Sequence, residues 1–156
     1  MRAEIAEQPA RWRDLVARRD EIDAAAAVIA RVDPELILLA ARGSSDHAAM
    51  YAQYLVHTVL GVPAALTTPA SVTVHGARLR YPRTVALAVS QSGRSPDLLA
   101  TVHAISDAGV PVVSYTNDRT SALALSGDVS VDLAAGTELA VAATKTSASA
   151  TSALMR

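Results

Sequence analysis

Three short segments concentrate hydroxyls, glycine and charge: Arg42-Gly43-Ser44-Ser45-Asp46-His47, Ser90-Gln91-Ser92-Gly93-Arg94-Ser95, and the stretch from Gly136 to Lys145. The middle one carries the clearest chemistry. Ser95-Pro96-Asp97 reads as a helix start, with a capping hydroxyl, a proline at the first helical position and an acid in the first turn. Free N–H groups and the helix dipole at such a start favour an anion. Gly93 lets the backbone come close, Ser90, Ser92 and Ser95 can donate from their hydroxyls, and Gln91 can give an amide N–H to a sugar oxygen. A phosphate monoester fits such a cradle. A plain turn closed by a capping serine accounts for the same residues equally well.

The Arg42 segment repeats the donors, with Gly43 for a tight turn, Ser44 and Ser45 as hydroxyls and Arg42 as a charge partner. Asp46 and His47 fall in the first turn of the next helix, where the acid suits the dipole and the histidine can titrate near neutral pH. A surface histidine at a helix start is the simpler role for His47. In the third segment Glu138 is the weak candidate for a general base, since besides Asp46 and Asp97 it is the only carboxylate in the three segments. An acid at a helix start explains it as well. His57, His75 and His103 show no metal-ligand spacing with one another or with paired acids, so no metal site is expected.

These segments need elements to hold them. Apolar steps of three and four from Ala10 to Ala30, through Trp12, Leu15, Val16, Ile22 and Ala26, predict a lead-in helical segment over residues 1–30. Leu36 to Ala41 is a continuous apolar run, the mark of a strand covered on both faces of a parallel sheet. Helical spacing returns from Ala48 to Val56 and closes at Gly61 and Pro63. Ala64 to Thr67 is a weak strand, Pro69 to Ser71 opens a helix or turn, and Thr84 to Val89 is a strong buried strand. A helix from Ser95 to Gly109, a strand from Val110 to Tyr115, a short helix from Ser121 to Leu125 and a strand from Val129 to Leu133 follow. An alanine-rich helix from Thr137 to Met155 ends the pattern. Such alternation predicts an α/β three-layer sandwich, a five-stranded parallel sheet flanked by helices. Ligands then bind outside the carboxyl ends of the strands, where all three segments lie.

Composition narrows the function. The 156 residues fit one core, and 51% hydrophobic against 19% charged residues favours a folded chain. Lys+Arg 14 against Asp+Glu 15 leaves no basic field for nucleic acid or an anionic membrane, and 3% aromatics without phenylalanine gives no base-stacking platform. With no cysteine there is no disulfide, thiolate metal site or thiol nucleophile, which suits a cytoplasmic location. No run approaches the roughly 18 apolar residues of a spanning helix. G-x-G-x-x-G after the first strand, G-x-x-x-x-G-K-[ST] and G-x-S-x-G are all missing, against dinucleotide, P-loop and esterase chemistry.

The three segments, taken in order, resemble the sugar isomerase (SIS) domain family, and the start Glu4-Ile5-Ala6-Glu7-Gln8-Pro9 is similar to its opening helix. Within the family the likeness is to glucosamine-6-phosphate deaminases and to the isomerase half of glutamine:fructose-6-phosphate aminotransferases. The resemblance implies that Ser44, Ser90, Ser92 and Ser95, with Gln91, hold the phosphate and nearby sugar oxygens, while Gly43 and Val141 lie against the sugar. Ser45 and Gly93 complete the expected substrate-binding set. No cofactor is expected. It further implies glucosamine-6-phosphate to fructose-6-phosphate chemistry, with a second SIS domain or tail supplying the acid and base. Residues 31–156 are then expected to be the first of two such domains. The alternative is a non-catalytic sugar-phosphate sensor of a regulator, although about 30 residues before the first strand are too few for a three-helix DNA-binding module. A homodimer is expected, because the lead-in helix carries an apolar stripe and the last helix is almost uncharged apart from Glu138 and Lys145.

Overall fold

The computed structural model describes residues 2–17, 19–137 and 144–154. Five strands alternate with helices: β1 (Leu36–Ala41), β2 (Ala64–Leu66), β3 (Thr84–Ser90), β4 (Val112–Thr116) and β5 (Val129–Asp132). They form one sheet in the order β2-β1-β3-β4-β5, with every neighbouring pair parallel. The helices are α1 (Arg2–Ala17), α2 (Arg19–Val32), α3 (Ser45–Leu55), α4 (Pro69–Thr73), α5 (Pro96–Asp107), α6 (Ala122–Ser126) and α7 (Thr144–Leu154). Helix α3 runs on into a π-helical turn, Val56–Leu60, which Gly61 closes in the left-handed region at φ 66°.

Both faces of the sheet are dry, which is why its strands read as unbroken apolar runs rather than alternating ones. Ile37, Leu39, Val85, Leu87, Val89 and Val113 point into the larger core, which Leu15 of α1, Ile22, Ala25 and Val28 of α2, Ala48 and Ala52 of α3 and Ala150 of α7 complete. Leu38, Ala40, Ala86, Ala88 and Val112 face the other way, onto Leu98, Val102 and Ile105 of α5 and Leu123 of α6. The expected three-layer sandwich is therefore the observed architecture. Among the described residues no helix is long and apolar enough to cross a membrane.

The structure differs from the sequence reading in three places. The lead-in segment is two helices, and α1 runs through Pro9 from Arg2. Pro9 removes one backbone hydrogen bond, and packing of Leu15, fully buried, against the core outweighs that local cost. Strand β4 starts after Pro111 rather than at Val110, because the Val110 N–H still serves the end of α5, donating to the Ile105 carbonyl at 3.3 Å. The last helix is described over Thr144–Leu154, and Thr137, expected to open it, lies instead in irregular backbone after Ala134 and Gly136, both left-handed at φ 52° and 71°; residues 138–143 lie outside the described residues. Gly136 is a local signal for that turn, whereas Ala134 carries none for its left-handed backbone. Helix α7 also packs against α1 and α3 within the chain, so its lack of charge is explained without a second copy.

Candidate functional site

Strand order reverses between β1 and β3, where the chain passes outward to β2 on one side and to β4 and β5 on the other. In an open parallel sheet this is where a crevice opens at the carboxyl ends. Ala41 is in register with Val89, and Ser90 with Thr116, so the Arg42 and Ser90 segments leave the sheet side by side. The two serine segments are thereby brought together. An ion pair joins them directly, Arg42 Nε to Asp97 Oδ2 at 2.8 Å, from the end of β1 to the first turn of α5.

The Ser90 segment is bolted down by its neighbours. Gly93 is buried and left-handed at φ 62°; its N–H donates to Ser90 Oγ at 3.1 Å, and its carbonyl accepts from Leu123 N at 3.1 Å. The Gln91 carbonyl accepts from Asn117 N at 3.2 Å and from the Thr116 hydroxyl at 3.4 Å. These anchors leave most of the hydroxyls uncommitted. Ser90 is buried and accepts from Gly93, so its own proton stays available to donate. Ser92 is exposed, with one long contact from Arg94 N at 3.4 Å. Ser95 occupies the N-cap of α5 with extended backbone but makes no capping hydrogen bond; Asp97 Oδ1 takes the Leu98 N–H instead, at 2.9 Å. The capping-serine account of Ser95 therefore lacks its hydrogen bond.

In the Arg42 segment Gly43 is left-handed at φ 61° and its carbonyl accepts from Asp46 N at 3.1 Å, which forms the tight turn. Ser44 is exposed at the N-cap of α3 and makes no side-chain cap bond, whereas Ser45 is buried as the first residue of the helix. His47 and His75 are exposed. His57 Nε2 accepts from Ala64 N at 3.0 Å and steadies the start of β2, and His103 Nε2 lies 3.1 Å from Ser126 Oγ.

Asn117 was not singled out by its sequence context, yet it ties the third segment to the Ser90 segment, whose Gln91 carbonyl accepts from its N–H. Its Oδ1 accepts from Ala135 N at 2.8 Å while its Nδ2 donates to the Gly136 carbonyl at 2.7 Å. The available signal was its place in the polar turn Asn117-Asp118-Arg119-Thr120 directly after an apolar strand. Glu138 and Val141 lie outside the described residues. At the far side of the same segment, Lys145 is buried, 2% exposed, and its Nζ donates to the Thr137 carbonyl at 2.6 Å and to Glu7 Oε2 at 3.0 Å. One lysine thus joins the segment's two ends and fastens them to α1.

The Lys145 hydrogen bond, opposed by some desolvation and helped by the charges of Lys145 and Arg11, holds the Glu7 carboxyl below its ordinary value of 4.5. A lowered carboxyl contributes stability above its unfolded value, lost as pH falls through the folded one. The wild type is expected to lose melting temperature as the pH drops below about 4.5. Glu7→Gln is expected to be less stable at neutral pH and to show a shallower acid limb, read from thermal melts across pH 3 to 7, a range of roughly 4 units spanning the carboxyl titration. Parallel acid limbs would remove Glu7 from this role.

An apolar cavity of about 380 Å³ lies away from these loops, between the sheet and α2, α3 and α7, lined by residues such as Ile22, Ile37, Leu55, Val59 and Leu154. None of the serine segments lines it. Tyr115 borders it, and burial pushes its phenol above the ordinary range, so the ring stays neutral.

The model of the SIS domain matches residues 32–156. Glutamine–fructose-6-phosphate aminotransferase of Halobacterium salinarum is 34% identical over 119 residues, covering 75% of this chain and 20% of that protein. A protein of Silicibacter pomeroyi described as a phosphosugar isomerase superposes with a TM-score of 0.93 at 42% identity, covering 99% of this chain and 48% of that one. The fold is shared as well with the NanR protein of Vibrio vulnificus, solved in complex with ManNAc-6P, at a TM-score of 0.75 and 20% identity over 98% of this chain and 59% of that one. The chain thus spans about a fifth of the aminotransferase and about half of the Silicibacter protein. A doubly wound five-stranded sheet with serine segments side by side at its switch point, matched over this length, makes the chain a member of the SIS domain family.

Proposed function

We propose that this domain holds the phosphate of a hexosamine 6-phosphate within a sugar-phosphate isomerase or deaminase. The observation that carries this reading is that the segment with Ser44 and the segment with Ser90, Ser92 and Ser95 leave β1 and β3 side by side, the second on a backbone clamped by Asn117, Thr116 and Leu123. Rigid backbone with free hydroxyls at two helix starts is what a phosphate monoester requires. Gln91 serves a sugar oxygen, Gly43 and Gly93 give close approach, and Ser45, buried, sets the first turn of α3 against the ligand. Ring opening followed by proton transfer between C1 and C2, through an enediol or enolamine, needs a base poised near neutral pH. Glu138 is the weak candidate within this chain, and the remaining acid–base groups belong to a further part of a longer protein.

A second reading, sugar-phosphate sensing without turnover, is favoured by Asp97, a carboxylate in the first turn of α5 already taken up by Arg42. Calorimetric titration with glucosamine 6-phosphate is expected to show binding, and the full-length protein is expected to release fructose 6-phosphate and ammonia. Binding without turnover would favour the sensor; no binding would remove both. A cytoplasmic location belongs to the same reading. So does pairing of two copies through Ile5, Trp12 and Val16, an exposed apolar stripe of α1 beside buried Leu15. A monomer in light scattering at micromolar concentration would remove the pairing.

A further inference from the structure

Among the described residues, four cations in or beside the segments that follow β1, β3, β4 and β5 have defined partners, and they differ in what they have left to give. Arg94 is 69% exposed and pairs with Asp118 at 2.9 Å on the outer side of the Ser90 segment. Arg119 is shared between Glu21 and Asp132. Lys145 is buried and committed to Glu7 and the Thr137 carbonyl. Arg42 alone combines a place at the β1/β3 edge with a guanidinium held through one nitrogen, Nε, by Asp97 at 2.8 Å. Its terminal nitrogens make no hydrogen bond to a described residue, and its side chain is 52% exposed.

The pairing has a definite shape. Asp97 sits in the first turn of α5, with Oδ1 on its neighbour's N–H and Oδ2 on Arg42. The guanidinium is thereby brought to the start of the helix that follows the serine segment, where the dipole and the hydroxyls already favour an anion. A carboxylate that grips Nε leaves the paired Nη edge of an arginine for a second, bidentate acceptor, and phosphoryl oxygens match that edge.

Resting on the phosphate reading above, we propose that Arg42, positioned by Asp97, reads the charge of the ligand, pairing its Nη edge with a dianionic phosphate. The site then selects phosphorylated over neutral sugars by charge as well as by hydroxyl donors. Asp97 is a positioning residue in this arrangement, since it acts through Arg42.

The test is titration of the full-length protein with glucosamine 6-phosphate and, separately, with inorganic phosphate, at several salt concentrations. Arg42→Gln is expected to weaken both by roughly 10- to 30-fold, the effect of losing charge-assisted hydrogen bonds, and to flatten the salt dependence. Arg42→Lys should recover the salt dependence and part of the affinity, because it keeps the charge without the fork. Asp97→Asn should weaken binding by a few-fold with the salt dependence intact. Thermal melts show that each variant is folded. Equal losses in Arg42→Gln and Arg42→Lys with unaltered salt dependence would make the residue a mere latch between loops and overturn the proposal. If the wild type binds neither probe, the phosphate reading falls and this inference with it. If Ser92→Ala weakens binding and Arg42→Gln does not, only the role of Arg42 is overturned.

Discussion

Gly93→Ala is expected to be the most damaging single-atom change near the site, with a loss of about 2–5 kcal/mol of stability. A Cβ built on Gly93 meets Ser121 Oγ at 2.2 Å and Ser121 Cβ at 2.5 Å, with Thr116 Oγ1 at 3.0 Å. Ser121 cannot swing clear, because its Cβ is fixed to backbone at the N-cap of α6, where its hydroxyl accepts from Ala124 N at 3.3 Å. The left-handed φ of 62° adds its own penalty for any side chain. For a domain of this size the melting temperature should fall by roughly 5–15 °C. Because the Gly93 N–H and carbonyl also hold Ser90 and Leu123, affinity for glucosamine 6-phosphate should fall as well. Circular-dichroism melts and titration read both effects. An unchanged melting temperature would mean that the Ser90 segment follows a different backbone path.

The Ser92→Ala and Ser95→Ala pair separates a phosphate cradle from a turn. Ser92→Ala removes one donor to a charged ligand and should weaken sugar-phosphate binding by about 1.5–3 kcal/mol, or roughly one to two decades. Its folding should barely change, since the side chain is exposed and its contact with Arg94 N is long, at 3.4 Å. If Ser95 were a cap and nothing more, Ser95→Ala would cost about 1 kcal/mol of stability and leave binding alone. The absence of a cap hydrogen bond leads to the reverse expectation, with stability kept and affinity lost. Calorimetry on both variants beside wild type, with thermal melts, gives the four quantities. Unchanged affinity in Ser92→Ala would reduce the segment to a turn and withdraw it from the site.

The sequence alone was enough for the layers, the five strands and the two serine segments. Runs such as Leu36 to Ala41 and Thr84 to Val89 are apolar at every position because both faces of the sheet are covered, and that pattern survives any detail of packing. Ser95-Pro96 marked the start of α5 through local backbone chemistry, which neighbours in sequence control. Boundaries were less legible where a local preference met a distant partner. Pro9 argues locally against a helix, and only the contact of α1 with the core keeps it helical. Thr137 looks helical among its alanines until the turn at Ala134 and Gly136 is seen.

What tertiary structure alone decided is which side chains meet. Glu7 and Lys145 are separated by most of the chain and join at 3.0 Å because α1 packs on α7. Asn117 acts on Gly136, and Arg42 on Asp97, because strand register sets their segments side by side. Strand order is a long-range choice among parallel pairings that no local pattern encodes, so the position of the crevice between β1 and β3 had to come from the fold. Residue type declared which groups can donate to an anion; register and helix packing decided which of them stand together and which are already spent on the protein itself.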